Sequence, residues 1–117
     1  MSARKPADTS CSQDDKPVAR VAAGPLEGPR ADADLAAFAR AVSHPVRVRI
    51  LRMLARKHAR MCSHIVDELP LAQSTVSEHL RILRSAGLVK ANAKGPRAGY
   101  CIVPPALKRF QALLDAM

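Results

Sequence analysis

Between Leu71 and Leu88 the apolar residues Val76, Leu80 and Leu83 recur at i, i+4 and i+7, one stripe of an amphipathic helix that must pack on something. The opposite side is small and polar: Ser74, Ser77 and Arg81 lie there, with Gln73, Thr75, His79 and Arg84 on the flanks. Short hydroxyl and amide side chains let a helix approach another surface closely, and Gly87 supplies a stop that tolerates positive φ. A shorter helical stretch, Ser63 to Leu69, precedes it across a tight turn at Pro70-Leu71, so the pair reads as a helix-turn-helix whose second helix enters a major groove.

The same reading extends outward. Leu35, Phe38 and Val42, spaced i, i+3 and i+7, predict a helix from Asp34 that ends near Ser43-His44. Pro45 opens the next helix as its first residue. That helix, Val46 to about Ala59, buries Val46, Ile50, Leu51 and Leu54, and Arg49, Arg52, Arg56 and Arg60 line another side, either as a solvated face or as phosphate contacts. Loose alternation over Leu88–Lys94, the glycine-bounded stretch 95–99 and then Tyr100–Val103 predict a hairpin whose tip presents Lys94 and Arg97. Pro104-Pro105 starts a last helix in which Leu107, Phe110, Leu114 and Met117 repeat at +3, +4 and +3, a candidate seam between two copies. Within residues 46–103 every proline and glycine falls at one of these boundaries. The expected architecture is mainly α with a small β-hairpin.

Charge sharpens the picture. Residues 1–33 hold five basic and five acidic side chains, so the net +9 comes entirely from residues 34–117, with 14 basic and five acidic. The folded part is the basic part, and a polyanion is its natural partner; no segment is long or apolar enough to insert in a membrane. Residues 1–33 also contain four of the nine prolines and two of the five glycines without sustained periodicity, which predicts a disordered tail before a domain over 34–117. Three aromatic residues, Phe38, Tyr100 and Phe110, make a light core that a partner would help stabilise. Cys11, Cys62 and Cys101 are odd in number and far apart, an argument for a reducing cytoplasm, and no signal peptide is apparent.

The stretches AVSHPVRVRILRML (41–54) and LAQSTVSEHLRILRSAGLV (71–89), in this order of elements, resemble the ArsR/SmtB family of bacterial repressors, and with the hairpin the likeness covers about residues 34–117. The resemblance implies a homodimeric winged helix-turn-helix built on its first and last helices, with Leu35, Phe38, Leu107, Phe110, Leu114 and Met117 at the seam. It also implies binding to an operator of two-fold symmetry and release by an inducer. By the same carry-over Gln73, Ser74, Thr75, Ser77 and His79 face DNA. Three departures stand out. Pro70 occupies the turn position usually taken by glycine, Ala72 stands where a capping serine is frequent, and Glu78 lies on the reading face, where it could accept from a cytosine amine or repel phosphate.

The family's Cys-x-Cys pair falls on Met61 and Ser63 here, and the last helix has no histidine, so the usual metal sites are missing from the sequence. A pairing of Arg60–Cys62 with Tyr100–Ile102 would instead bring Cys62 near Cys101. With Cys11 or His64 as a third ligand, they could hold a thiophilic ion such as As(III) or oxidise to a disulfide; otherwise Cys62 and Cys101 are small buried apolar residues. His44, His58 and His64 read as structural or solvated.

The residues thus point to a DNA-binding transcriptional regulator, with base contacts from Ser74, Ser77 and Arg81 and backbone contacts from the basic helix and wing. The alternative is a winged-helix module that holds another protein. An enzyme is disfavoured: the sequence has no phosphate loop, no nucleophile elbow, and only five acidic residues after position 33 for acid–base work.

Overall fold

The computed structural model describes residues 24–56, 60–91 and 99–117, the side chains of 60–63 excepted. Helix α1 (Pro29–Ala41) packs on the last helix, α5 (Pro104–Asp115). Between them in sequence come α2 (Pro45–Arg56), strand β1 (Arg60–Met61), α3 (Cys62–Glu68), α4 (Gln73–Ser85), β2 (Val89–Ala91) and β3 (Gly99–Ile102). The strands form an antiparallel sheet in the order β1-β3-β2, with Arg60 opposite Tyr100, Met61 opposite Gly99, and Val89, Lys90 and Ala91 opposite Ile102, Cys101 and Tyr100. Among the described residues no helix is long and apolar enough to cross a membrane.

The first helix starts earlier than its apolar spacing predicts. It begins at Pro29, whose fixed φ suits the first helical position, and Asp32 lies in its first turn, where the helix dipole favours a carboxylate. The expected boundary at Asp34 is therefore corrected, and the chain from Gly24 onward is tied to α5. Arg109, only 5 % exposed, donates from Nη1 to the Gly24 carbonyl at 3.1 Å, and from Nη2 to the Pro25 carbonyl and to Asp34 Oδ2, each at 3.0 Å. Residues 1–23, Cys11 included, lie outside the described residues.

A continuous core joins the helices to the sheet. Ile50, Met53 and Leu54 of α2, Ile65 of α3, Leu88, Val89 and Val103 around the sheet, and Ala106 and Leu113 of α5 are all buried. Val46 and Leu51, expected beside Ile50, are only half-buried, and Met53 takes an inner place instead. Phe38 stacks on Phe110 with ring centroids 5.3 Å apart. At 2 % exposure Phe38 belongs to the chain's own core, which corrects its expected place on an intermolecular seam. On α5 the buried residues are Ala106, Arg109 and Leu113. At about 100° per residue that face is turned by roughly a quarter of a circle from the stripe of Leu107, Phe110, Leu114 and Met117. Leu35, Leu107 and Phe110 consequently stay half-buried, while Leu114 (50 %) and Met117 (87 %) remain exposed on the single chain.

Candidate nucleic-acid interface

Helix α4 is fixed from behind. Val76 and Leu83 have no exposed surface and Leu80 has 1 %, so the predicted stripe is the buried one. Its N-terminus follows a three-residue turn in which Leu71 N–H donates to the Leu69 carbonyl at 2.8 Å around Pro70. No residue of this turn has positive φ, a geometry compatible with proline's fixed φ. Ala72, at φ −69° and ψ 154°, occupies the N-cap without a side-chain hydrogen bond. The C-terminus closes on Gly87 at φ 85°: Leu88 N–H reaches the Leu83 carbonyl at 3.1 Å and Gly87 N–H the Arg84 carbonyl at 2.9 Å. This double closure satisfies carbonyls the helix would otherwise leave open and requires a residue at ease with positive φ.

With that side buried, the other faces solvent. Gln73, Ser74, Thr75, Ser77, Arg81 and Arg84 are all exposed, as expected for a reading face. Glu78, on the same face, has its partner within the helix. It accepts from Arg81 Nε at 3.0 Å through Oε1 and from Nη2 at 2.6 Å through Oε2, a bidentate pair one turn apart. That hydrogen bond is the main reason the Glu78 carboxyl titrates below its usual range and the Arg81 guanidinium above its own. The pair occupies two of the five N–H donors of Arg81, and its other edge, Nη1 with the second Nη2 proton, keeps three for another acceptor.

His79 departs from the rest of the face. It is half-buried, its ring tilts against His44 with centroids 4.7 Å apart, and its Nδ1 accepts from Arg47 Nη1 at 3.2 Å. An arginine can only donate, so the His79 proton sits on Nε2. Burial, followed by the nearby His44 and Arg47, holds the His79 pKa below its ordinary value. Arg47 itself donates from Nε to the Ala41 carbonyl at 2.7 Å, closing the end of α1, while His44 Nδ1 accepts from Val46 N–H at 3.1 Å at the start of α2. One arginine thereby links the C-terminus of α1 to the flank of α4. Sequence reasoning grouped the α2 arginines by their spacing and missed this residue, although it stands two places before Arg49.

The other predicted sites divide. Lys94 and Arg97 fall in 92–98, and the side chain of Cys62 in 60–63, so these lie outside the described residues. The predicted pairing of the link with the last strand is present. Its antiparallel register, however, runs from Arg60 opposite Tyr100 to Met61 opposite Gly99, away from Cys101, and Cys62 follows as the first residue of α3, so the two cysteines are not cross-strand neighbours. Cys101 is buried. Among the described residues no group of three or more His, Cys, Asp or Glu side chains is placed to hold a metal ion.

Comparison with known proteins agrees with this geometry. Residues 44–91, from the cap of α2 to the end of β2, match the family model described as bacterial regulatory protein, arsR family. An uncharacterized HTH-type transcriptional regulator of Methanocaldococcus jannaschii is 38 % identical over 78 residues, 67 % of this chain and 88 % of its own. The HTH-type transcriptional repressor SmtB of Mycobacterium tuberculosis is 38 % identical over 94 residues, 80 % of this chain and 67 % of its own. The solution structure of a homodimeric winged helix-turn-helix DNA-binding domain from Mycobacterium bovis superposes with a TM-score of 0.60 at 30 % identity, covering 80 % of this chain and 87 % of that one.

Proposed function

The chain belongs to the ArsR family of bacterial regulatory proteins, and from that premise we propose that it represses transcription as a homodimer, with α4 of each copy in the major groove of one operator half-site. It is a helix-turn-helix transcriptional regulator and not an enzyme. One observation carries the finer reading: Val76, Leu80 and Leu83 are buried while Gln73, Ser74, Thr75, Ser77 and Arg81 stand exposed on the same helix, whose C-terminus is closed at Gly87. Hydroxyl and amide groups on a rigid helix are what base edges require.

In this reading Arg81 donates to a guanine with its free edge while Glu78 holds the other, so the carboxylate orients the reader instead of contacting DNA itself. Arg84 and the wing residues Lys94 and Arg97 would neutralise phosphates. Dimerisation is supported by the homodimeric solved structure, and the exposed Leu114 and Met117 favour a seam that includes the C-terminal end of the chain. Selection of bound duplexes from a random pool tests the proposal, and a two-fold symmetric consensus is the expected product. Arg81→Ala should flatten preference at one base pair per half-site by about 1–3 kcal/mol. If it weakens every sequence equally, Arg81 is a phosphate contact and the assignment is wrong.

A further inference from the structure

Helix α2 carries a second cationic face, separate from the groove-facing one. Arg49, Arg52 and Arg56 are exposed and form no hydrogen bond or ion pair with any described residue. With Pro45 and Val48 they line a shallow groove of about 400 Å³ that contains no acidic side chain. At 100° per residue positions 45, 49, 52 and 56 fall within about 60° of one another, and Arg47 lies on the opposite side of the helix. Because Arg47 is the residue that reaches across to His79 of α4, the arginine row points away from α4. A duplex held by α4 is therefore out of its reach on the same copy, which changes the expectation that this stripe adds phosphate contacts to the operator.

Like charges three and four residues apart repel, and nothing on the described chain offsets the repulsion here. The row spans about 10 Å of helix axis at 1.5 Å per residue. A DNA strand carries one charge per about 3.4 Å, so the same length of backbone presents about three phosphates. The groove offers three guanidinium forks and two apolar residues, with no hydroxyl or amide group that would select a base. We infer that this face of α2 holds the phosphate backbone of a second DNA duplex, irrespective of sequence, while α4 occupies the first. The inference rests on the reading of α4 given above, and it makes the dimer a bridge between two DNA segments.

The test uses the intact protein, a duplex selected from the random pool carrying one fluorophore, and an unrelated duplex carrying another, at about 50 mM salt. Energy transfer and sedimentation report whether the preformed complex takes up the second duplex. The intact protein should do so. R49Q/R52Q/R56Q, whose changes are all on exposed side chains and whose fold is checked by circular dichroism, should bind the first duplex within about twofold of the parent. It should lose the second at least tenfold, with the log–log salt slope of that step reduced by about 2–3. Arg81→Ala should show the converse, losing selectivity on the first duplex and keeping the second. Uptake of the second duplex by the triple variant, or equal weakening of both duplexes, overturns the inference. So does an intact protein that takes up no second duplex but retains polyglutamate on this face. Should selection return no consensus while duplex binding still depends on these three arginines, the reading of α4 fails and the α2 face stands.

Discussion

Arg109 offers the sharpest test of how this small fold is held together, because it puts a charge where a light core would be expected to want a hydrocarbon. Its guanidinium makes three hydrogen bonds of 3.0–3.1 Å, joining α5 to Asp34 of α1 and to the Gly24 and Pro25 carbonyls. Bonds to a charged group contribute about 1.5–3 kcal/mol each; the low end applies because Asp34 is 31 % exposed and all three acceptors regain water when the donor goes. The gross gain of about 4–5 kcal/mol is reduced by Nε, which is buried with no acceptor among the described residues, at a cost of about 1–2 kcal/mol. Arg109→Met, which keeps most of the packed stem, should then destabilise by about 2–3 kcal/mol, and Arg109→Ala by about 4–5 kcal/mol because a cavity is added. Asp34→Asn retains an acceptor and removes the countercharge, so it should cost about 1–2 kcal/mol, and the double variant should cost less than the sum. Urea unfolding at one fixed protomer concentration measures all four, since a dimer's apparent stability moves with concentration. For the Met variant the melting temperature should fall by about 10–20 °C. Proteolysis between Gly24 and Pro29 should accelerate in parallel, because the same bonds anchor that segment. A Met variant as stable as the parent would refute the reasoning, showing that the buried charge costs as much as its bonds return.

Two further outcomes follow from α4 and its surroundings. Ala72 already has the extended backbone of an N-cap and lacks only the oxygen, so Ala72→Ser should stabilise the chain by about 0.5–1 kcal/mol; an unchanged urea midpoint would mean that the first-turn N–H groups are satisfied elsewhere. The His79 pKa is held below its ordinary value of 6.5 by burial, then by His44 and Arg47, so the unfolded chain takes up the proton first as pH falls. Stability should therefore be constant above that value and decline below it until the folded protein is also protonated. His79→Asn keeps an acceptor for Arg47 and cannot titrate, so it should remove that part of the slope; identical profiles for the two proteins would separate His79 from the effect.

What could be read from the chain, and what could not, divides by the range of the interaction responsible. The buried stripe of α4, the stop at Gly87 and the start of α2 at Pro45 are set by neighbours within about seven residues, and periodicity and turn chemistry report them directly. The start of α1 is different. Pro29 is a local signal for a helix start, but it lies in a proline- and glycine-rich tract of balanced charge, and the bonds that make the tract worth ordering come from Arg109, 85 residues away from Gly24. The same remote demand rotates α5. Its large apolar residues mark one face, yet the interior takes Ala106, Arg109 and Leu113, because close approach to α1 favours a small residue and a guanidinium that can reach three acceptors.

The reading face shows the limit at finer scale. Spacing identified which side of α4 is exposed, and the i,i+3 interval between Glu78 and Arg81 was open to inspection, but spacing alone does not say whether a carboxylate seeks its neighbour or an outside donor. Arg47 is the clearest case. On α2 it is one arginine in a series at 47, 49, 52 and 56, and only the position of α4 makes it the member that turns inward, onto a histidine 32 residues away, while the other three turn out. A row of identical side chains thus acquires two roles from a single packing contact. The partition is physical: reversing it would need α2 to rotate by about half a turn, exposing Ile50, Met53 and Leu54, which are at most 2 % exposed now. At roughly 1.5–3 kcal/mol for each large apolar side chain brought into water, that rotation would consume most of the stability a domain of this size has.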